Sequence, residues 1–259
     1  SMLKILSHVQ NIFPKKLVNK NKFPTKVSLK KVETPDGNFI IHEQIPIKKG
    51  NKTIFLQTKV IDPETCPPLS ANIETRITDK YKNEFGAYYY TIAPNSKNIE
   101  NGYVQTKINQ RRKGFGELMR LASLIEFKEN NLKTIDIDAF PEGLPFHLKY
   151  KFKPNITKKS DGIRILEEIN RKNAIAIYDK KKFKKLFLLI SQEKSKTISE
   201  ENQISLNKFV ENYVKQNLHQ WRKAKTVTEI PMILTDKMVR QFADFYNKLF
   251  KKHGIDYKI

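Results

Sequence analysis

The chain has 259 residues, 49 of them Lys or Arg against 27 Asp or Glu, for a formal net charge of +22. An apolar fraction of 39% with 10% aromatics can build a packed core and excludes global disorder, and the length suits one large domain or two modest ones. The lone cysteine, Cys66, excludes a disulfide framework and a cysteine-rich zinc site, and the five histidines show no metal-ligand spacing.

Residues 1–24 read as a helical or irregular lead-in without a long apolar h-region, so secretion is not expected. From Thr25 to Ile108 the pattern is that of strands: 39–45, 53–60, 71–77, 87–92 and 102–108 are rich in β-branched and aromatic residues. Turn chemistry separates them at Pro35-Asp36-Gly37, Lys49-Gly50-Asn51, Asp62-Pro63 with Pro67-Pro68, and Pro94-Asn95-Ser96. Alternation sends Tyr88 and Tyr90 to one face and Tyr89 to the other. The period then changes. Leu118, Leu121, Ala122 and Ile125 fall at helical spacing and predict an amphipathic helix from Gly116 to Asn130, after which 133–139 returns to alternation. Strand, helix and strand in so short a span make a βαβ unit, which requires a parallel pair. Beyond Pro154 the texture is helical, over 162–170, 180–193, 200–222 and 235–252, with Thr235 as N-cap and Gly254 as stop.

The expected fold class is therefore α+β: a mixed sheet of antiparallel meander plus one central βαβ unit over residues 25–157, followed by a mainly helical region over 158–259. No apolar run approaches the ~18 residues that span a bilayer, so a cytoplasmic protein without membrane contact is expected. Eight of the basic residues are Arg; a coding preference for Lys, Asn and Ile explains the Lys surplus as well as a polyanion-binding surface does.

The informative stretch is Arg111-Arg112-Lys113-Gly114-Phe115-Gly116, between the last meander strand and the helix. Two glycines one residue apart let the backbone approach a bulky anion, and successive N–H groups converge before a helix N-terminus, which favours negative charge. The three cations add mobile positive charge around that mouth. A polyphosphate is the natural guest. The segment is not a Walker loop, because no Gly-Lys-Ser/Thr follows, and not a Rossmann fingerprint, because its strand belongs to an antiparallel meander.

The run from Val104 to Met119, a strand followed by Arg-x-x-Gly-x-Gly and a helix, resembles the coenzyme A loop of the GNAT superfamily of acyl-CoA N-acyltransferases. Downstream, Phe146-His147-Leu148-Lys149-Tyr150-Lys151-Phe152 is similar to that family's Phe-Tyr-x-x-x-Gly-Phe ending. The likeness covers residues 70–155. It departs from the family where 25–80 read as strands in place of two helices, where Lys151 replaces the glycine and His147 the tyrosine, and where Phe140-Pro141 stands in place of an Asn.

The resemblance implies direct attack of an amine on the thioester of acetyl-CoA, whose arm enters where the two parallel strands splay. It gives the backbone of Val104, Gln105 and Thr106 to that arm and the loop with Arg111, Arg112, Lys113, Gly114, Phe115, Gly116 and Glu117 to the pyrophosphate. His147 aligns with the acid that meets the thiolate, and an ordinary pKa near 6.5 lets it donate as imidazolium; Tyr150 is the nearby alternative. Glu74 and Glu100, on strands before the loop, are candidate bases. Asp136 and Asp138 share one strand face, read as solvated.

The leading expectation is an N-acetyltransferase using acetyl-CoA as donor and an amine as acceptor. A protein- or RNA-linked amine suits so positive a chain better than a polyamine, unless the cleft carries its own acidic patch. The alternative is a non-catalytic acyl-CoA-binding or basic nucleic-acid-binding module, for which speak the Lys runs at 180–182 and 184–185 with Tyr178, Phe183 and Phe187. The oligomeric state is open.

Overall fold

Alternating apolar residues between turns build the sheet. The computed structural model describes residues 24–34, 37–61, 72–92, 97–171, 180–219 and 228–259. Strands β4 (Ile45–Lys49), β5 (Lys52–Val60), β6 (Ile73–Thr78), β7 (Glu84–Ile92) and β8 (Asn98–Thr106) form an antiparallel meander. Helix α1 (Phe115–Glu129) crosses over to β9 (Thr134–Ala139), which lies parallel to β8. The mixed α+β class, with meander and one βαβ unit, is thus the fold the chain adopts.

Two further strands, β10 (Lys153–Pro154) and β11 (Ile230–Thr235), complete the sheet in the order β10-β11-β9-β8-β7-β6-β5-β4. The helical reading beyond Pro154 leaves out the strand Ile230–Thr235, in which Pro231 lacks the N–H that a ladder uses. Here Pro231 sits at the strand's beginning, and its carbonyl accepts from Asn155 N at 2.8 Å. Residues on both sides of the 157/158 division therefore share one sheet.

The expected strand over 39–45 also divides. Strand β3 (Gly37–His42) leaves the main sheet to pair with β2 (Leu29–Thr34), because its inner edge is taken by α1. Asn130 holds Ile40 from both sides, accepting from its N–H at 2.8 Å and donating to its carbonyl at 2.7 Å. Glu126 accepts from both the backbone and the ring of His42. Turns follow the chemistry read from the sequence where they are described: Gly50 and Gly254 adopt left-handed φ values of 61° and 67°. Residues 35–36, 62–71 and 93–96, where other turns were expected, lie outside the described residues, as does Cys66.

Helix α1 was expected to be amphipathic, yet it is buried on nearly every side: Glu117, Arg120, Ser123 and Glu126 are as enclosed as its apolar residues. Glu117 and Glu126 are met by cationic or hydrogen-bonding side chains from other elements, which offsets the desolvation cost of their burial.

Helices α2 (Leu144–Lys149), α3 (Lys159–Arg171), α4 (Lys180–Gln192) and α5 (Glu200–Gln216) follow, the last three gathered beside β10. The helix expected over 235–252 breaks at Phe242 into α6 (Asp236–Gln241) and α7 (Ala243–Lys252). The Thr235 hydroxyl caps α6 by accepting from Met238 N. Residues 253–259 then run back along α1 from its first turn to its last: His253 meets Glu117, Tyr257 donates to Glu129 at 2.7 Å and Lys128 reaches the Lys258 carbonyl. Within this strap, β12 (Ile255–Asp256) pairs with β1 (Thr25–Lys26). Among the described residues no helix is long and apolar enough to cross a membrane.

Candidate active site

Strands β8 and β9 pair at only two positions, Asn98 with Thr134 and Ile99 with Ile135, and then part. A bulge in β8 coincides with the parting: Tyr89 pairs with Tyr103 and Thr91 with Glu100, leaving an extra residue on β8 between them. Gly102 lies in that bulge because a Cβ there would sit 2.7 Å from the Tyr88 hydroxyl. Beyond it, Lys107 N donates to Phe85 O, so by antiparallel alternation Tyr103 and Gln105 bond to β7. Val104 and Thr106 therefore turn their N–H and C=O groups to the side that β9 has left. An unpaired strand edge inside a sheet is a ready partner for an extended ligand.

At the far end of this edge lies the basic turn. Arg112 and Gly114 both take left-handed backbones, with φ of 64° and 86°, and no side chain caps α1 at Gly114. The first-turn N–H groups of α1 are left for an anion. Arg111, Arg112 and Lys113 are exposed around it. A cation missed in the sequence joins them: Lys49, the last residue of β4, brings Nζ to 3.6 Å from where a Gly114 Cβ would be. Burial, then repulsion from Lys252, pushes its ammonium below the usual lysine range. The residues thus fit a polyphosphate through backbone donors and four cations. The side chains of Phe115, Gly116 and Glu117 do not join in. Phe115 stacks on Phe85 at 5.2 Å, a Gly116 Cβ would collide with Phe146 at 2.8 Å, and Glu117 turns inward.

Glu117 is the centre of a buried ionic cluster. It accepts from Lys252 at 2.6 Å, His253 at 2.7 Å, the Tyr150 hydroxyl at 2.6 Å and Lys149 at 3.4 Å. Burial would raise its carboxyl, but the bonds from His253, Lys252 and Tyr150 outweigh burial and hold it far below the usual carboxylate range. Tyr150, a candidate acid, is therefore committed: it is buried, its hydroxyl is spent on Glu117, and both burial and that carboxylate push its pKa upward.

His147 is half-buried on α2, with Arg120 Nη2 at 3.4 Å from its Nδ1. Burial, and then the Arg120 charge, push its pKa down to about 3. Both effects disfavour the imidazolium expected from an ordinary value.

On the bulge side of the gap is a cavity of about 360 Å³ whose lining includes Glu100, Gly102, Asp136, Asp138, Phe140 and Glu229. Burial pushes up the carboxyls of Asp136, Asp138 and Glu229, and neighbouring carboxylates add to it: Glu100 at Asp136, Asp161 at Asp138, Asp138 at Glu229. Arg164 and Lys158 offset only part of this at Asp138. Asp136 and Asp138, read as a merely solvated face, thus belong to an acidic cavity, and Glu229 joins from beside β11, remote in sequence. Of the candidate bases, Glu100 lines the cavity. Glu74 does not: it lies on β6, two strands or about 10 Å from the gap, with its carboxylate held by Arg76.

No protein-family model and no curated protein sequence matches the chain. Among solved structures, glutamate-to-glutamine mutant forms of the spermidine/spermine N-acetyltransferase SpeG from Vibrio cholerae align at 18% identity with a TM-score of 0.31, over 37% of this chain and 60% of that one. Nourseothricin acetyltransferase aligns at 14% identity with a TM-score of 0.28, over 53% of this chain and 75% of that one. Both neighbours are acetyltransferases. The chain spans 60% of the length of the first.

The aromatics cited for a nucleic-acid surface point elsewhere. Phe183 is buried and packs at 6.1 Å on Phe209, Phe187 is half-buried beside it, and Tyr178 lies outside the described residues. The lysines of α4 are the solvated face of a helix whose aromatic residues belong to the core.

Proposed function

We propose that the chain is an N-acetyltransferase that moves an acetyl group from acetyl-CoA to a cationic amine. The observation that carries this reading is the parting of β8 and β9, which leaves an unpaired strand edge between a cationic turn and an acidic cavity. The coenzyme diphosphate suits Arg111, Arg112, Lys113, Lys49 and the free N–H groups of α1. Its arm suits the backbone of Val104 and Thr106, where an N–H aimed at the acyl oxygen polarises the carbonyl as charge develops. The acidic patch that a strongly positive enzyme needs in order to accept a polyamine is present, so the preference among acceptors moves to polycations over protein- or RNA-linked amines. Glu100, crowded by Asp136, takes a proton from the incoming ammonium and frees the nitrogen lone pair for attack.

Acetyl-CoA at a hundred times its Kd is expected to stabilise the protein by about 2.7 kcal/mol, and Gly114→Glu to abolish that gain. A linear triamine should be acetylated faster than a monoamine, and Glu100→Gln should lower turnover with the coenzyme shift intact. Absence of any thermal shift at millimolar acetyl-CoA would sink the donor assignment; equal rates with mono- and triamines would remove the cavity from acceptor binding.

A further inference from the structure

Among the described residues, Arg120 is a buried cation without a counter-ion. It lies in the middle of α1 at 1% exposure, among the rings of Phe152, Tyr88 and Phe146, with its guanidinium carbon 4.6, 5.3 and 5.9 Å from their centroids. No carboxylate pairs with it among the described residues, and its buried Nε has no hydrogen-bond partner. Such an arrangement is costly. What the guanidinium does touch are two groups that it forces to accept, since it has only donors: the Tyr88 hydroxyl at 3.3 Å and His147 Nδ1 at 3.4 Å.

We propose that His147 serves the site as a neutral imidazole, its tautomer fixed by Arg120, so that Nε2 carries the one ring proton and offers it as a hydrogen bond to the sulfur leaving the thioester. This rests on the acyl-transfer reading. A proton on Nδ1 would point at the guanidinium, so the tautomer is decided by contact. The groups packed around the ring offer nothing to support a second proton. Arg120 approaches from α1, and the rings of Phe146 and Phe152 pack edge-on at 5.2 and 5.6 Å; neither ring can accept a proton, and Arg120 is the one charged group acting on the imidazole among the described residues. Nε2 faces the other way, 3.5 Å from the position of a Gly143 Cβ, in the turn between β9 and α2 that begins at Phe140, a residue of the cavity wall. In the step served, the amine nitrogen bonds to the acyl carbon, the C–S bond breaks, and its electron pair stays on sulfur. His147 donates a hydrogen bond to that sulfur and keeps its proton, because losing it would leave an imidazolate. The amine's proton goes to Glu100 and solvent. Arg120 is the positioning residue, and its unneutralised charge favours the same developing anion.

The test uses the full chain labelled with ¹⁵N-histidine, with His147→Gln assigning the resonances. The expected result is an Nε2–H neutral tautomer from pH 8 down to pH 5, and in Arg120→Met, which removes the guanidinium but not the burial, loss of the single-tautomer preference and a titration shifted upward towards the ordinary value of about 6.5; Arg120→Leu serves if the Met variant does not fold. His147→Phe should lower kcat about tenfold to a hundredfold while the acetyl-CoA thermal shift persists, and His147→Gln, which keeps an N–H donor, should recover most of it. A wild-type ring that titrates near 6.5, an Nδ1–H tautomer, or full kcat in His147→Phe would each overturn the proposal. Loss of the acetyl-CoA shift in the wild type is a failure of the acyl-transfer reading, and the tautomer is then still read directly from the spectra.

Discussion

A methyl group at position 116 would sit 2.8 Å from Phe146 Cε2, whereas one at position 114 would meet nothing nearer than 3.6 Å but would require a φ of 86°. The two glycines of the basic turn therefore answer to different constraints. Gly114 is a matter of backbone handedness at the helix entrance; Gly116 lets α2 close on α1. Gly116→Ala is expected to destabilise the fold by about 1–3 kcal/mol through overpacking, read as a lowered Tm, with a smaller effect on coenzyme affinity than Gly114→Glu. An unchanged Tm would mean that the Phe146 ring can yield. The Gly-x-Gly pattern was legible because it is local, but its division of labour was not, since Phe146 lies thirty residues away. Lys151 stands where the resembling motif has glycine and indeed takes a left-handed φ of 73°, with its ammonium 4.6 Å from the Phe245 ring. The sequence identified the odd residue; only the fold shows what it leans on.

At the level of elements, strands bounded by turns could be read from alternation, and α1 from its period. The polar residues of α1 misled, because amphipathic spacing implies a wet face and here that face is covered by the β2–β3 hairpin, α2 and the 253–259 strap. Pairing partners were equally illegible: β3 carries good strand residues, yet nothing in them says that they belong to α1 and not to β4. Asn130 is the rivet of that arrangement. Asn130→Ala removes two bonds to the Ile40 backbone and is expected to cost about 1–3 kcal/mol; Asn130→Asp, which keeps the acceptor, should cost less. Faster amide exchange at Ile40 than at Leu56 in the Ala variant would localise the loss to the hairpin, and equal protection at both would argue against it.

For the molecule as a whole, a formal +22 conceals a division that composition could not show. The cations at the turn and the carboxylates at the cavity occupy opposite ends of one gap, and Glu229 reaches the second group only because β11 folds back beside β9. The strap has a kinetic consequence of its own. Glu117 and His253 are 136 residues apart in sequence, so their contact closes a far larger loop than any meander pairing, and such contacts form late. During refolding the sheet is expected to regain its far-UV signal before acetyl-CoA binding returns, because the first turn of α1 completes its ionic anchor, with the bond from His253, only when the strap docks; simultaneous recovery in stopped-flow traces would contradict this. The interval between the two signals is a time when the chain has its shape and not yet its chemistry.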